Sequence, residues 1–247
     1  MRYEIYEQIA EKVAFPEEFG YDSDNDDESP LEWVKDDVYS ISHNIDIAHG
    51  VSKFVMIQPE YDKVLKVPFS GELFYSEDYN EETKEWEYAE TSSFDQFTGA
   101  NGDYSDWNYC EKEVEVYQMA EEAGVAQFFA KIETFEPKTI KGRMPLYLQE
   151  KVKSINDYGI SSLKPSEKSL SLIQEDNKKE WSKKKYAGIN NNNWLALAID
   201  VYGEEELDKL MAFIKDYEKQ WTDFHNGNIG YREDGTPVLL DYSGFHS

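Results

Sequence analysis

The sequence predicts an α+β fold in two parts: an antiparallel five-stranded part with one main helix, followed by a smaller and mainly helical part. Three observations carry this expectation. Val38–Ile47, Lys53–Ile57 and Lys63–Phe69 alternate apolar with polar residues or run β-branched, which is the pattern of half-buried strands. Tyr109–Ala123 and Glu204–Gln220 repeat apolar residues at helical spacing instead. Near the C-terminus, Asp234-Gly235 stands between the apolar runs Ile229–Tyr231 and Val238–Leu240, which marks a β-hairpin.

Residues 1–36 are polar and broken by Pro16, Gly20 and Pro30, with a short amphipathic helix over Tyr3–Val13. They are expected to form an acidic appendage. The three strands that follow are separated by His49-Gly50 and Gln58-Pro59, so they should form a meander. Residues 70–109 are acidic and aromatic with poor periodicity, and read as an insertion with a further hairpin around Trp86–Tyr88. In the next helix Val116, Tyr117, Ala120 and Ala123 share a face with Glu113, and Gly124 stops it. Phe128–Phe135 and Pro145–Val152 supply the fourth and fifth strands, joined through Pro137 and Gly142, and complete a first part over 37–152. The second part, 153–247, holds a lysine-rich stretch, a short apolar segment Trp194–Tyr202 and a helix from Glu204 to Gln220. Leu207, Leu210, Met211, Ile214, Tyr217 and Trp221 keep the 3.6-residue spacing along that helix, which delivers the chain into Asp223.

Composition narrows the function. A 40% hydrophobic and 15% aromatic content over 247 residues is enough for a substantial core. No apolar run approaches the ~18–20 residues of a membrane span, and the acidic start lacks the basic and apolar regions of a secretory signal, so a cytoplasmic protein without membrane attachment is expected. Cys110 is the single cysteine, which excludes an intramolecular disulfide and a thiolate metal cluster. The net charge of −26 argues against direct nucleic-acid binding, whose affinity comes chiefly from phosphates neutralised by Lys and Arg. Acids crowd Glu17–Asp37, where ten accompany Lys35 alone. Asp22-Ser-Asp24-Asn-Asp26 imitates the opening of a calcium loop, but Asp27 replaces its glycine and Trp33 its final glutamate. Residues 151–190 reverse the sign with nine lysines against five acids, either as a solvated helical face or as an anion-contacting surface.

The hairpin suggests chemistry. With Asp234 and Gly235 as a two-residue loop, Tyr231 faces Val238 and Asn228 lands opposite Asp241. A carboxylate and an amide oxygen then converge, with Cβ atoms roughly 4.5–5.5 Å apart. Such a pair suits Mg²⁺, which keeps waters and phosphate oxygens as its remaining ligands.

Asp223-Phe-His225-Asn-Gly227-Asn228, followed by an apolar strand ending in Asp241, resembles the catalytic loop and metal-binding Asp of the protein kinase-like superfamily. The likeness is to its aminoglycoside- and choline-kinase branch. The element order over roughly 38–245 agrees with that bilobal fold. The resemblance implies ATP and Mg²⁺ as cofactors, Asp223 as the base that orients an acceptor hydroxyl, and Asn228 and Asp241 as metal ligands. Val64-Leu65-Lys66-Val67 resembles the strand element whose lysine holds the α- and β-phosphates, with Glu113 as its ion-pair partner and Glu115 in reserve. Gly50, Ser52 and Lys53 stand where the phosphate-covering loop would be, and an ordinary tight turn is the alternative there. Gln149-Glu150-Lys151-Val152 resembles the hinge, with Glu150 and Val152 placed to bond adenine.

The sequence also departs from the family. Gly244 follows Asp241 by three residues instead of two, and Trp221-Thr222 replaces His-Arg. Six residues follow Asp241, too few for an activation segment or a peptide-binding platform. The acceptor, a small molecule or a protein, would therefore be met by residues 156–193, by the 70–109 insertion or by a partner chain. The leading expectation is an ATP-dependent phosphotransferase. A nucleotide-binding module without turnover and an acidic mimic of nucleic acid are the competing classes, and the oligomeric state is left open.

Overall fold

The structure is a computed structural model that describes residues 3–14, 36, 38–49, 53–68, 75–80, 85–90, 108–138, 146–155, 163–216, 224 and 226–242. Asp223, His225, Gly50 and Ser52 lie outside the described residues. The chain forms two compact units: residues 1–111 with 133–149, and residues 112–132 with 150–247.

The first unit is built on a five-stranded antiparallel sheet of β1 (Asp46–His49), β2 (Lys53–Ile57), β3 (Lys63–Pro68), β6 (Ile132–Phe135) and β7 (Leu146–Glu150). The strand order is β1-β2-β3-β7-β6. In the meander Asp46 pairs with Ile57, and Val55 with Lys66. Strand alternation divides the two faces. Phe54 and Met56, Leu65 and Val67, and Leu146 and Leu148 all enter one buried cluster. The helix α1 (Glu4–Ala14) closes that cluster with Tyr6, Ile9 and Ala10, which expose no surface. Burying side chains such as Ile9 contributes roughly 1.5–3 kcal/mol apiece. The Tyr6 hydroxyl donates to the carbonyls of Met56 and Lys63 and accepts from the Gln58 amide at 3.1 Å. Burial there pushes its pKa up to about 12. Although the sequence places its helix, expected over Tyr3–Val13, in an appendage of residues 1–36, Tyr6, Ile9 and Ala10 of this helix belong to the sheet's core.

One segment takes a different conformation from the expected strand. Residues 38–41 are helical, with Ser42 donating to the Val38 carbonyl at 3.1 Å, and β1 begins only at Asp46. Val38, Ile41 and Ile45 are spaced by three and four residues, so a helical turn sends all three toward the cluster that α1 also fills.

The insertion carries a two-stranded antiparallel hairpin, β4 (Tyr75–Asn80) with β5 (Glu85–Glu90), whose register pairs Tyr79 with Trp86. The main helix α2 (Tyr109–Glu122) starts at Asn108, whose side chain accepts from the Glu111 amide, and ends before Gly124, which adopts φ +72°.

The second unit contains α3 (Glu167–Asn177), α4 (Asn192–Tyr202), α5 (Glu204–Asp216) and a three-stranded sheet. That sheet has the order β10 (Pro237–Leu239), β9 (Ile229–Tyr231), β8 (Lys153–Ser154). Ser166 caps α3 and Asn191 caps α4. Both helices fall inside or beside the lysine-rich stretch. Asp176 at the end of α3 accepts from the Lys185 and Tyr186 amides and from Lys179 Nζ, which ties the following turn to the helix. Leu207, Leu210, Met211 and Ile214 of α5 are buried as their spacing predicts. Among the described residues no helix is long and apolar enough to cross a membrane.

Candidate functional site

The closing hairpin carries Asn228 and Asp241, and its turn differs from the expected one. Arg232 donates to the Thr236 carbonyl and Gly235 to the Arg232 carbonyl, both at 2.9 Å. Three residues, Glu233 to Gly235, therefore form the loop, with Gly235 in the left-handed region at φ +87°. This is a type I turn closed by a glycine bulge, a three-residue connection in place of a two-residue one. The Asp234 carboxylate stabilises it by accepting from the Thr236 amide at 2.9 Å.

One extra loop residue shifts the register by one. Tyr231 pairs with Pro237, Gly230 with Val238 and Ile229 with Leu239, so Asn228 falls opposite Leu240 and not Asp241. In a regular ladder that shift would send Asp241 to the other face. The strands end here, however, and the Asn228 carbonyl accepts from both the Leu240 amide at 2.8 Å and the Asp241 amide at 3.4 Å. Asn228 and Asp241 thus remain backbone neighbours at the open end of the hairpin, both partly exposed. Their oxygen donors suit a hard cation that keeps waters or phosphates as further ligands. Among the described residues no group of three or more His, Cys, Asp or Glu side chains is arranged to hold a metal ion.

Buried anchors hold this end in place. Tyr242, directly after Asp241, is 1% exposed; its hydroxyl donates to the Ala130 carbonyl at 2.7 Å and its ring meets Phe129 edge-on at 5.0 Å. Ala130 in turn donates to the Leu239 carbonyl at 2.9 Å. On the other strand the indole of fully buried Trp194 donates to the Gly230 carbonyl at 3.2 Å. Asn191, which caps that helix through the Trp194 amide, also reaches the Asn226 side chain at 3.0 Å. Asn226 is therefore tied to the start of α4, and Phe224 forms a parallel bridge with Ile189.

Glu150 and Val152 lie where β7 leaves the first sheet and continues as β8 onto the hairpin. Lys153 pairs with Tyr231 and Ser154 with Gly230, and the Ile155 amide donates to the Ile229 carbonyl at 3.3 Å. Gly230 is required here: a Cβ on it would lie 2.3 Å from the Lys153 carbonyl oxygen. The Glu150 amide donates to the Lys131 carbonyl at 2.7 Å. Its carboxylate takes two bonds from Arg232, Nε to Oε1 at 2.7 Å and a terminal nitrogen to Oε2 at 3.1 Å. Burial alone would lower the Arg232 pKa, but the Glu150 carboxylate outweighs it and the guanidinium is held above its ordinary value.

The remaining residues divide between the units. Lys66 on β3 is 3% exposed and lies on the sheet face opposite α1, where it pairs across the ladder with Val55. Lys53, also buried, shares that face, as do Tyr147 and Gln149 of β7. The Tyr147 hydroxyl donates to Glu111 and accepts from Asn108 at 2.7 Å; burial first, then the Glu111 carboxylate, push its pKa well above the usual tyrosine range. Glu113 belongs to the second unit and is completely buried, whereas Glu115 is exposed.

Comparison with protein-family models and with curated protein sequences found no match to this chain.

Sequence reasoning missed the anchors Trp194 and Tyr242, the close approach at Gly230, and Arg232. One signal was available: the chain uses arginine at three positions only, Arg2, Arg143 and Arg232, against 22 lysines by difference from its 25 basic residues. A planar five-donor group in a lysine-rich protein points to a site that lysine does not satisfy.

Proposed function

We propose that this protein is an ATP- and Mg²⁺-dependent phosphotransferase of the protein kinase-like type, acting on a hydroxyl acceptor. The observation that carries the reading is the backbone contact of Asn228, five residues after Asp223 in the sequence, with Asp241 at the open end of the hairpin. An amide oxygen and a carboxylate at that point would hold Mg²⁺ against the β- and γ-phosphates. The metal would supply charge neutralisation for in-line transfer, while Asp223 orients the acceptor hydroxyl and takes its proton. Glu150 and Val152 would face the adenine. Lys66, Glu113, Lys53, Gly50 and Ser52 enter the proposal on the resemblance of their motifs alone.

Mg-ATP should raise the melting temperature of the wild type, and Asp241→Ala should remove that rise. Asp223→Ala should leave binding intact and abolish ATP turnover. A wild type that binds no Mg-nucleotide defeats the proposal. Binding with no Asp223-dependent turnover would favour a nucleotide-binding module instead, a reading supported by the altered spacing of Asp241-Tyr-Ser-Gly244.

A further inference from the structure

Arg232 is a half-buried residue of the second unit whose guanidinium uses every donor it has. Besides its two bonds to Glu150, it donates to the Gln127 carbonyl at 3.1 Å, the Phe129 carbonyl at 3.2 Å and the Tyr202 hydroxyl at 3.3 Å. An arginine carries five N–H groups, and these five bonds match them one for one. The Tyr202 hydroxyl itself donates to the carbonyls of Gln127 and Pro237, at 2.8 and 2.9 Å, and closes the network. The acceptors come from separate stretches of chain: the end of β7, the turn at 126–129 and the last turn of α4.

This network joins the two ends of the proposed nucleotide site. Arg232 sits on the hairpin that carries Asn228 and Asp241, while Glu150 begins the segment that continues as β8 onto β9. Residues 127–129 precede Ala130, which bonds both Leu239 and Tyr242 beside Asp241. We infer that Arg232 is a positioning residue: by clamping Glu150 and the 127–129 carbonyls to the hairpin, it fixes the purine-facing segment at a set distance from the metal-phosphate end. The inference rests on the phosphotransferase reading and extends it to how adenine is recognised. Because the five guanidinium bonds go to Glu150, Gln127, Phe129 and Tyr202 and not to Asn228 or Asp241, its removal should act on the base and spare the triphosphate.

The test compares two partial ligands on the full-length protein, adenosine and Mg-tripolyphosphate, by calorimetry. Arg232→Lys keeps the charge but cannot make the fork to Glu150, and Glu150→Gln removes the charge while keeping the shape. Both should weaken adenosine binding on the order of fivefold or more, as a positional coupling of ordinary size would. Mg-tripolyphosphate affinity should stay at the wild-type value. A folded Arg232→Lys protein with unchanged adenosine affinity, or one that loses both ligands equally, overturns the inference while leaving the proposed function standing. Should Arg232→Lys not fold, Glu150→Gln decides by the same criterion. A wild type that binds neither ligand defeats the proposed function, and this inference with it.

Discussion

Gly230→Ala should destabilise the protein through contact with one backbone atom. The added Cβ would stand 2.3 Å from the Lys153 carbonyl oxygen and 3.0 Å from Leu240 Cδ1. Carbon–oxygen contacts between strands ordinarily settle near ~3.3–3.6 Å, so the approach is short by about 1 Å. Leu240 can rotate away, but the carbonyl belongs to β8 and can yield only if the strands part. Separation by that amount would carry the Ile155 amide, already 3.3 Å from the Ile229 carbonyl, beyond hydrogen-bonding reach. Forcing an extra carbon into packed structure costs roughly 1–3 kcal/mol, and each lost hydrogen bond about 0.5–1.5 kcal/mol, for a sum of about 2–5 kcal/mol. In proteins of this size each kcal/mol moves Tm by roughly 2–4 °C, so a fall of roughly 4–20 °C is expected in a calorimetric or circular-dichroism melt. Amide exchange at Ile155 should accelerate in parallel. Gly124→Ala is the matched control: Gly124 has φ +72° with nothing near its absent Cβ, so only the left-handed backbone penalty of about 1–2 kcal/mol applies and Ile155 exchange stays unchanged. A Gly230→Ala protein that melts within about 2 °C of wild type, or keeps Ile155 protected, refutes the argument.

Two further outcomes test other parts of the second unit. Tyr242→Phe removes the donor to the buried Ala130 carbonyl and should cost roughly 1–3 kcal/mol in urea denaturation; a variant as stable as wild type would mean the hydroxyl does not help seat Asp241. At Asp176, burial favours the neutral acid, but bonds from Lys179, Lys185 and Tyr186 overcome it and hold the carboxyl below its ordinary value. A carboxyl depressed on folding contributes stability that is complete above the unfolded value near ~3.9 and is lost as pH falls through the lower folded value. Asp176→Asn should therefore be less stable than wild type at neutral pH, and the gap should narrow in urea midpoints measured toward pH 3. A gap that widens on acidification contradicts the assignment.

Local pattern was sufficient where one face of an element meets one environment. The alternation in Lys53–Ile57 and the helical spacing of α2 and α5 each reflect a period written into consecutive residues, as Gly124 marks a helix stop, whereas Lys63–Pro68 is buried on both faces from Val64 onward. Other features depended on what lay across the fold. Val38–Ile47 reads as a strand by its apolar-polar mixture, but a strand would put Val38 on the face opposite Ile41 and Ile45, and the cluster under α1 selects the helical turn that buries Val38 and Ile45 and packs Ile41 against it. Asp234-Gly235 announces a hairpin without fixing its loop length, and the bonds of Arg232 to Thr236 and of Gly235 to Arg232, with the Asp234 cap and Gly235 at φ +87°, decide for three. That choice moved Asn228 off the position opposite Asp241, and only the frayed strand ends and the doubly accepting Asn228 carbonyl kept them adjacent. By itself, then, the sequence determined the strand and helix periods, the helix stop and the existence of a closing hairpin, because each is encoded within a few neighbouring residues. The place of α1 in the core, the seating of Tyr242 and the five bonds of Arg232 were decided by tertiary structure. Arg232 reaches Gln127 across 105 residues, Tyr242 reaches Ala130 across 112, and Tyr6 shares its cluster with Leu148, all at distances along the chain where no local period extends.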